Sequence, residues 1–204
     1  MSKNNKRDEL LPTLSRISPV LFFLIIVLNS ILYPSYESFY LLIIYCIVNA
    51  SNFSIKHYLI KPIYKLFNVK SLPLLGIGER PLNATSCAFI LDNTIATSFG
   101  MPSGHSQIAW TACSYLLLKI INNWYTIYNK NKEKQTTTII QYIWLIVSCI
   151  IVLVTSIYIS YSRVYIEGCH TIQQVTVGGL IGIVSGFLIY YFENDVINLL
   201  SKMY

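Results

Sequence analysis

Charged residues are scarce in this chain, and their scarcity excludes an ordinary soluble domain. Lysine, arginine, aspartate and glutamate together make up 12% of the 204 residues, whereas 54% are hydrophobic and the mean hydropathy is positive. A typical soluble domain carries about 25% charged residues, because water must solvate its surface. The chain is also too short to hold a soluble catalytic domain beside several membrane helices. We therefore expect any chemistry to take place in a membrane domain.

Clusters of metal ligands are also missing. The five cysteines are odd in number and show no Cys-x-x-Cys spacing, so we expect small packing residues, without a disulfide framework or a zinc site. These are Cys46, Cys87, Cys113, Cys149 and Cys169. The nine acidic residues form no convincing carboxylate group for magnesium, and the net charge of +6 forms no long basic face for nucleic acid. The sequence predicts no metal ion, cofactor, nucleic-acid partner or obligate protein partner.

Five continuously apolar runs are the main feature that is present. They cover about residues 18–33, 39–53, 107–124, 138–161 and 175–191. Each approaches the roughly 20 residues that a helix needs to cross about 30 Å of hydrocarbon. Helices are favoured over a barrel because lipid leaves no backbone group unpaired and the runs do not alternate. We predict an all-α, multi-pass transmembrane helical bundle, with a polar N-terminal segment over residues 1–17 and a membrane domain over 18–204.

The segment 54–103 is too polar to cross the membrane, and its prolines and glycines predict short helices and turns at the membrane surface. With five spans, this segment, the segment 162–171 and the N-terminus lie on one side. Basic residues near the N-terminus favour the cytosol for that side: Lys3, Lys6, Arg7 and Arg16. Cations that bind phosphate would also add basic residues to this side, so the orientation of the chain in the membrane stays open.

Residues 100–107, Gly-Met-Pro-Ser-Gly-His-Ser-Gln, end this polar segment and open the third apolar run. Proline, serine and glycine at a helix start leave backbone N–H groups without helical partners, and the helix dipole adds positive charge there. Such a terminus binds anions, and His105 can pass a proton to a leaving oxygen. The pattern alone equally allows Ser103 to be a simple helix cap and His105 an interfacial residue.

The segment 162–174 places Arg163 and His170 between the fourth and fifth runs. An arginine at a membrane boundary is costly unless it is used, and its fork suits phosphate oxygens. His170 and Gln174 are four residues apart at a helix start and share a face, so the glutamine carbonyl can accept from Nδ1 and leave Nε2 as a nucleophile. The simpler alternative is a snorkelling Arg163, a solvated His170 and a Glu167 that balances Arg163 in solvent.

Together these motifs resemble the type 2 phosphatidic acid phosphatase (PAP2) superfamily, whose pattern is a lysine and Arg-Pro motif, then Pro-Ser-Gly-His, then Ser-Arg followed by a histidine. Members similar to dolichyl diphosphatases carry Gly-Met-Pro-Ser-x-His-Ser-Gln, Ser-Arg-Val-Tyr, and His-Thr-x-x-Gln-Val followed by paired glycines. In this chain these are residues 100–107, 162–165 and 170–175, with Gly178 and Gly179. The resemblance covers roughly residues 50–190.

The resemblance implies a six-helix-type membrane fold of the PAP2/acid phosphatase-haloperoxidase kind and a metal-independent phosphatase. His170 would attack phosphorus to form a phosphohistidine, and His105 would protonate the departing oxygen and later activate water. The phosphate oxygens would be held by Lys56, Arg80, Ser103, Gly104 and Arg163. The favoured substrate is a polyprenyl diphosphate of the dolichyl type in the membrane, with a phosphatidate-type monoester as the close alternative. The endoplasmic reticulum is compatible with this resemblance as the host membrane.

The first motif departs from the family pattern. Arg80 and Pro81 are present, but Pro73 stands where the family lysine is expected. We assign the lysine to Lys56, four residues after an asparagine as in the dolichyl diphosphatase-like motif. Lys61, which precedes a proline, is the competitor.

Two further departures concern the third motif. Six residues separate Arg163 from His170 where the usual pattern has five, and a turn at Gly168 would accommodate the additional one. Gln174 replaces a carboxylate partner, as in the dolichyl diphosphatase-like branch. A related lipid phosphotransferase, or a catalytically silent membrane scaffold with disabled motif spacing, are the alternative functions. Small residues after this motif predict close helix packing within the domain: Gly178, Gly179, Gly182 and Gly186.

Overall fold

The computed structural model describes residues 10–84, 86, 95–96, 98–132 and 139–203. The helices are α1 (Leu10–Leu32), α2 (Tyr36–Ser54), α3 (Lys61–Leu66), α4 (Gly104–Lys132), α5 (Ile139–Tyr161) and α6 (Ile172–Met203). One π-helical turn, Ile55–Ile60, joins α2 to α3, and a second, Ser162–Ile166, extends α5. Two short antiparallel strands, β1 (Ser71–Leu72) and β2 (Gly76–Ile77), form a hairpin between α3 and α4. The predicted all-α class is confirmed.

In the described part of the chain, four continuous helical segments are long and apolar enough to span a membrane, which makes this an integral membrane protein. They are Leu10–Leu32, Tyr36–Leu66, Ile139–Ile166 and Ile172–Lys202. Four of the five predicted spans are therefore confirmed. The remaining run, the third in the chain, lies in α4, which has 29 residues but is less apolar, because polar side chains such as Ser106, Gln107 and Thr111 line its buried face.

The N-terminal part of α1 overlaps the polar segment predicted over residues 1–17. The helix begins at Leu10, so the boundary predicted at residue 17 lies inside it. Ser15 and Arg16 are buried against the other helices, and Arg16 forms an ion pair. This arginine therefore carries no information about which side of the membrane is cytosolic. The basic residues at positions 3, 6 and 7 lie outside the described residues.

The centre of the bundle is the pair α4 and α6, with α5 packed on α4. A Cβ atom on Gly182 would lie 2.4 Å from the carbonyl oxygen of Gln107, and one on Gly178 would lie 2.5 Å from that of Ser103. Only glycine permits so close an approach of two helix backbones. The predicted close helix packing within the domain is confirmed, and it brings the start of α4 beside the start of α6.

The opposite end of the same helix pair is held by a buried carboxylate. Glu193 of α6 accepts hydrogen bonds from the Tyr115 hydroxyl at 3.0 Å and the Lys119 ammonium at 2.8 Å, both on α4. The Tyr40 hydroxyl of α2 donates to the carbonyl of Ile189 at 2.6 Å. The register of α2, α4 and α6 is thus fixed far from the predicted site.

Candidate active site

The residues that the sequence singled out come together at one end of the bundle. They are Lys56 on the first π-helical turn, Arg80 after β2, Ser103, Gly104 and His105 at the start of α4, Arg163 on the second π-helical turn, and His170 and Gln174 around the start of α6. Arg80 Nη1 lies 3.4 Å from His170 Nε2, and the positive charges of Lys56 and Arg80 act on both histidine rings. Five separate parts of the chain contribute to one site.

The hydrogen bonds of Gln174 determine the tautomer of His170. Gln174 Nε2 donates to the carbonyls of Ile77 at 2.8 Å and Glu79 at 2.7 Å, so the amide nitrogen must face these two acceptors. Its oxygen Oε1 then faces His170 Nδ1 at 2.9 Å. Because an amide oxygen only accepts, Nδ1 carries the proton and Nε2 keeps its lone pair.

His170 is 4% exposed, which excludes the solvated histidine of the simpler alternative. Burial lowers the pKa of His170 well below the usual value of a histidine, and the charge of Arg80 lowers it further, whereas the hydrogen bond with Gln174 raises it. The imidazole is therefore neutral near pH 7. A neutral imidazole that keeps its Nε2 lone pair is the form that acts as a nucleophile, and in this structure that lone pair faces the Arg80 Nη1 donor at 3.4 Å.

Arg80 is held by the segment that precedes the histidine. Its Nη1 donates to the carbonyl of Cys169 at 3.1 Å, and its Nε donates to the Ser98 hydroxyl at 3.1 Å. The two backbone carbonyls bound by Gln174 belong to the strand and loop just before Arg80. Gln174 therefore positions both the ring of His170 and the segment that carries Arg80.

Arg163 does not snorkel, because its side chain is 0% exposed. Its Nη2 donates to the Ser15 hydroxyl at 3.0 Å, and its backbone carbonyl accepts from the amides of Cys169 at 3.1 Å and His170 at 3.3 Å. The same residue thus brings a cation into the site and closes the loop that ends at the histidine.

The additional residue between Arg163 and His170 is accommodated in two ways. The π-helical turn Ser162–Ile166 holds one more residue per turn than an α-helix would. Gly168 then adopts a φ of +63°, a left-handed conformation that favours glycine. The turn predicted at Gly168 is confirmed.

Glu167 occupies a different position from the one predicted. It is 5% exposed and does not lie in solvent, and its Oε1 accepts from Arg16 Nη2 at 3.2 Å. Sequence reasoning missed Ser15 and Arg16 as parts of the site, because no motif contains them. The available signal was an arginine beside an apolar run, since charges inside membrane bundles are usually paired.

Ser103 and His105 begin α4 with specific contacts. Ser103 is completely buried, and its backbone N–H donates to the carbonyl of Gln174 at 3.0 Å. Its hydroxyl makes no hydrogen bond within the described part of the chain, so it does not cap the helix. His105 Nε2 lies 3.0 Å from the carbonyl oxygen of Arg16. The first N–H groups of α4, from Gly104 onward, have no helical acceptors.

The structure brings Lys56 to the site and leaves Lys61 elsewhere. Asn52 Nδ2, one turn before Lys56, donates to Gln107 Oε1 of α4 at 2.7 Å and so joins α2 to the start of α4. The charge of Lys56 interacts with that of Arg80. Lys61 lines a separate open cleft with His57, Lys65 and their neighbours.

One cysteine contradicts the sequence reading. Cys169, directly before the histidine, is disulfide-bonded, whereas Cys46, Cys113 and Cys149 are free as predicted. Cys87 lies outside the described residues. A disulfide requires Cα atoms about 4.4–6.8 Å apart, and spacing in the sequence does not give that distance.

Metal ligands are not grouped in the described ranges. Among those residues, no three histidine, cysteine, aspartate or glutamate side chains come together as a cation site. Metal independence stays a prediction.

Comparison with known proteins covers the same region. A model of the PAP2 superfamily matches residues 37–197. Dolichyldiphosphatase 1 of Rhinolophus ferrumequinum is 30% identical over 104 residues, which are 51% of this chain and 40% of that protein. The Homo sapiens protein of the same name is 29% identical over 103 residues, 50% of this chain and 40% of its own length. The chain thus matches about two fifths of the length of these relatives, and no solved structure matches it significantly.

The superfamily match extends over most of the chain and includes every residue that the motifs had nominated, from Lys56 to Gln174. Those residues are also the ones that the bundle gathers at one end. This integral membrane protein belongs to the PAP2 superfamily.

Proposed function

We propose that the protein is a membrane phosphatase that hydrolyses a polyprenyl diphosphate of the dolichyl type, or a related lipid phosphate, through a phosphohistidine on His170. The observation that carries this proposal is the state of His170: Gln174 binds its Nδ1 proton, and its Nε2 lone pair lies beside Arg80. A buried neutral imidazole next to a cation has the arrangement that nucleophilic attack on a phosphate ester requires.

The reaction has two steps. The Nε2 lone pair of His170 attacks phosphorus, the bond from phosphorus to the leaving oxygen breaks, and His105 gives that oxygen its proton. Burial and the nearby Arg163 lower the pKa of His105 well below its usual value, so its charged form depends on the negative charge of the bound phosphate. Water then attacks the phosphohistidine, His105 takes a proton from the water, and the N–P bond breaks to release inorganic phosphate. The enzyme returns to its starting protonation state, and no metal ion takes part.

Cations and N–H groups would stabilise the charge on the phosphoryl oxygens. Arg80 lies beside the attacking nitrogen, and the charge of Lys56 acts on both histidines. The buried hydroxyl of Ser103 makes no other hydrogen bond in the described part of the chain, and Gly104 opens the helix whose terminus favours an anion. Fixed positive groups of this kind supply most of the catalysis of phosphoryl transfer.

An apolar cavity supports a lipid as the substrate. It has a volume of about 320 Å³, and α1, α2, α4 and α6 line it with side chains that are almost all hydrophobic. Its nearest lining residues to the site are Val48, one turn before Asn52, and Ile108, one turn after Gly104. A hydrocarbon chain in this cavity would leave its phosphate at the level of the two histidines.

The same observations bear on the two alternative functions, a silent scaffold and a lipid phosphotransferase. The silent scaffold rested on the altered spacing of the third motif, and the turn at Gly168 accommodates that spacing. The phosphotransferase uses the same first step and differs in its acceptor. Release of phosphate without an added lipid alcohol distinguishes the two.

The first prediction concerns metal independence. Purified protein in detergent should release phosphate from prenyl diphosphates or glycerolipid phosphates in the presence of EDTA, because the charges that meet the phosphate come from side chains. The two lipid classes are assayed side by side to identify the preferred one. An activity that EDTA abolishes and only magnesium restores would contradict the mechanism.

The second prediction separates the histidines. His105→Ala should lose activity on an alkyl phosphate and be rescued in part by an activated aryl phosphate or a diphosphate, because their leaving groups need little proton donation in the first step. It should also accumulate an acid-labile phosphoenzyme. His170→Ala should show neither rescue by the activated substrates nor a covalent phosphoenzyme. Radiolabelled substrate measures the phosphoenzyme. Label on the His170 variant would reverse the two assignments.

The third prediction concerns Gln174. Gln174→Ala should lower kcat/KM by roughly 10–100-fold, the usual scale for a group that orients a reactive side chain, whereas His170→Ala abolishes turnover. Losing the hydrogen bond that raises the pKa of His170 should also move the acid limb of the kcat/KM profile to lower pH. An unmoved acid limb in a folded variant would show that Gln174 does not act through the histidine.

The fourth prediction tests the cavity. Ala112→Phe would fill part of it, because Ala112 lines the cavity on α4. We expect a higher KM for a long-chain lipid and an unchanged rate on a water-soluble aryl phosphate. Leu180→Phe, on the exposed face of α6, is the matched control and should change neither. Equal effects of the two variants on the lipid would exclude the cavity as the site of the chain.

A further inference from the structure

The N-terminal turns of α1 form one wall of the site. Ser15 and Arg16 are both buried, although they precede every family motif. Arg16 contacts the site twice: its carbonyl oxygen lies 3.0 Å from His105 Nε2, and its guanidinium Nη2 lies 3.2 Å from Glu167 Oε1. The Ser15 hydroxyl accepts from Arg163 Nη2 at 3.0 Å. This short segment therefore contacts the candidate acid and a candidate phosphate-binding arginine together.

The contact with Arg16 determines the tautomer of His105. A backbone carbonyl only accepts, so Nε2 must be the nitrogen that carries the proton in the neutral ring. Nδ1 has no hydrogen-bond partner among the residues that the structure describes. Nδ1 is then the atom that receives a proton when the ring becomes charged and gives it to a leaving oxygen.

The ion pair holds the Arg16 carbonyl in place. Two nitrogens of the guanidinium, Nε at 3.3 Å and Nη2 at 3.2 Å, converge on one oxygen of Glu167. Glu167 follows the second π-helical turn and precedes His170 by three residues. The pair therefore ties the segment beside His105 to the loop that carries His170.

A proline in α1 also leaves backbone carbonyls of this turn without their helical donors. Pro19 lies inside the helix and lacks the N–H that would bind the carbonyl of Ser15, which accepts from the Ser18 hydroxyl at 2.8 Å instead. A proline inside a helix bends it, and the carbonyls of the preceding turn become available to other donors. The carbonyl of Arg16 lies in that turn.

We propose that Arg16 and Glu167 are positioning residues: their ion pair holds the Arg16 carbonyl against His105, which keeps the proton on Nε2 and directs Nδ1 to the leaving group. The inference rests on the proposed role of His105 as the acid. It adds two residues, in a helix outside the family motifs, to the machinery of the reaction.

The test compares two leaving groups. Arg16→Met combined with Glu167→Gln removes the ion pair without leaving a buried charge unpaired. In single-turnover measurements of the first step, release of the leaving group from an alkyl phosphate should slow by roughly 10–100-fold, and release from an activated aryl phosphate should stay close to that of the unaltered protein. Lys119→Met with Glu193→Gln neutralises a partly buried ion pair far from the site and is the matched control. Its ratio of the two rates should not change.

A double-mutant cycle completes the test. Added to His105→Ala, the Arg16 and Glu167 substitutions should cause no further loss on the alkyl phosphate, because they act through that histidine. Equal losses on both substrates, or losses that add to those of His105→Ala, would overturn the inference. Arg16→Lys is a milder change that keeps the positive charge. Its ratio of the alkyl phosphate rate to the aryl phosphate rate should be close to that of the unaltered protein, which shows that the larger effect of the double variant does not come from misfolding.

The outcomes also separate this inference from the proposed function. If His105→Ala itself shows no dependence on the leaving group, the proposed role of His105 fails and the inference fails with it. If His105→Ala shows that dependence and the ion-pair variant does not, only the inference fails. Thermal unfolding in detergent verifies that each variant is folded.

Discussion

The hydrogen bonds of the Gln174 side chain are the interaction on which the site depends. Its oxygen accepts from His170, and its nitrogen donates to two carbonyls of the segment before Arg80. Its backbone carbonyl accepts from Ser103. A carboxylate would set a negative oxygen within 3 Å of those two carbonyls, so only an amide satisfies both sides of this position. That requirement explains why this chain orients its histidine with a neutral residue.

Interruptions of helical regularity carry two of the three cations at the site. Lys56 lies on the π-helical turn after α2, and Arg163 lies on the π-helical turn after α5. A π-helical turn contains one additional residue, which rotates the side chains that follow it relative to the rest of the helix. Each apolar helix can therefore face lipid along its length and still direct a cation inward at its end. Burial of Arg163 in a membrane protein is costly, which is the usual mark of a residue kept for function.

The packing of α4 against α6 brings these separate elements together into one site. Glycines of α6 allow the two backbones to approach, so that His105 at the start of α4 lies within electrostatic range of His170. The close approach also accounts for the polar face of α4, because its side chains meet other helices instead of lipid. The apolar cavity follows the site along α4, which is consistent with the proposed lipid substrate.

The sequence by itself determined the structural features that depend on residues close together along the chain. Apolar runs predicted the helices, the glycine and proline content predicted where α4 begins, and a spacing of four predicted the contact of His170 with Gln174. Only the tertiary structure decided the contacts between distant segments. Arg16 and Glu167 are 151 residues apart, and the disulfide of Cys169 has no signature in the cysteine spacing. Such contacts depend on how whole helices pack, and periodicity describes only the face that one helix presents.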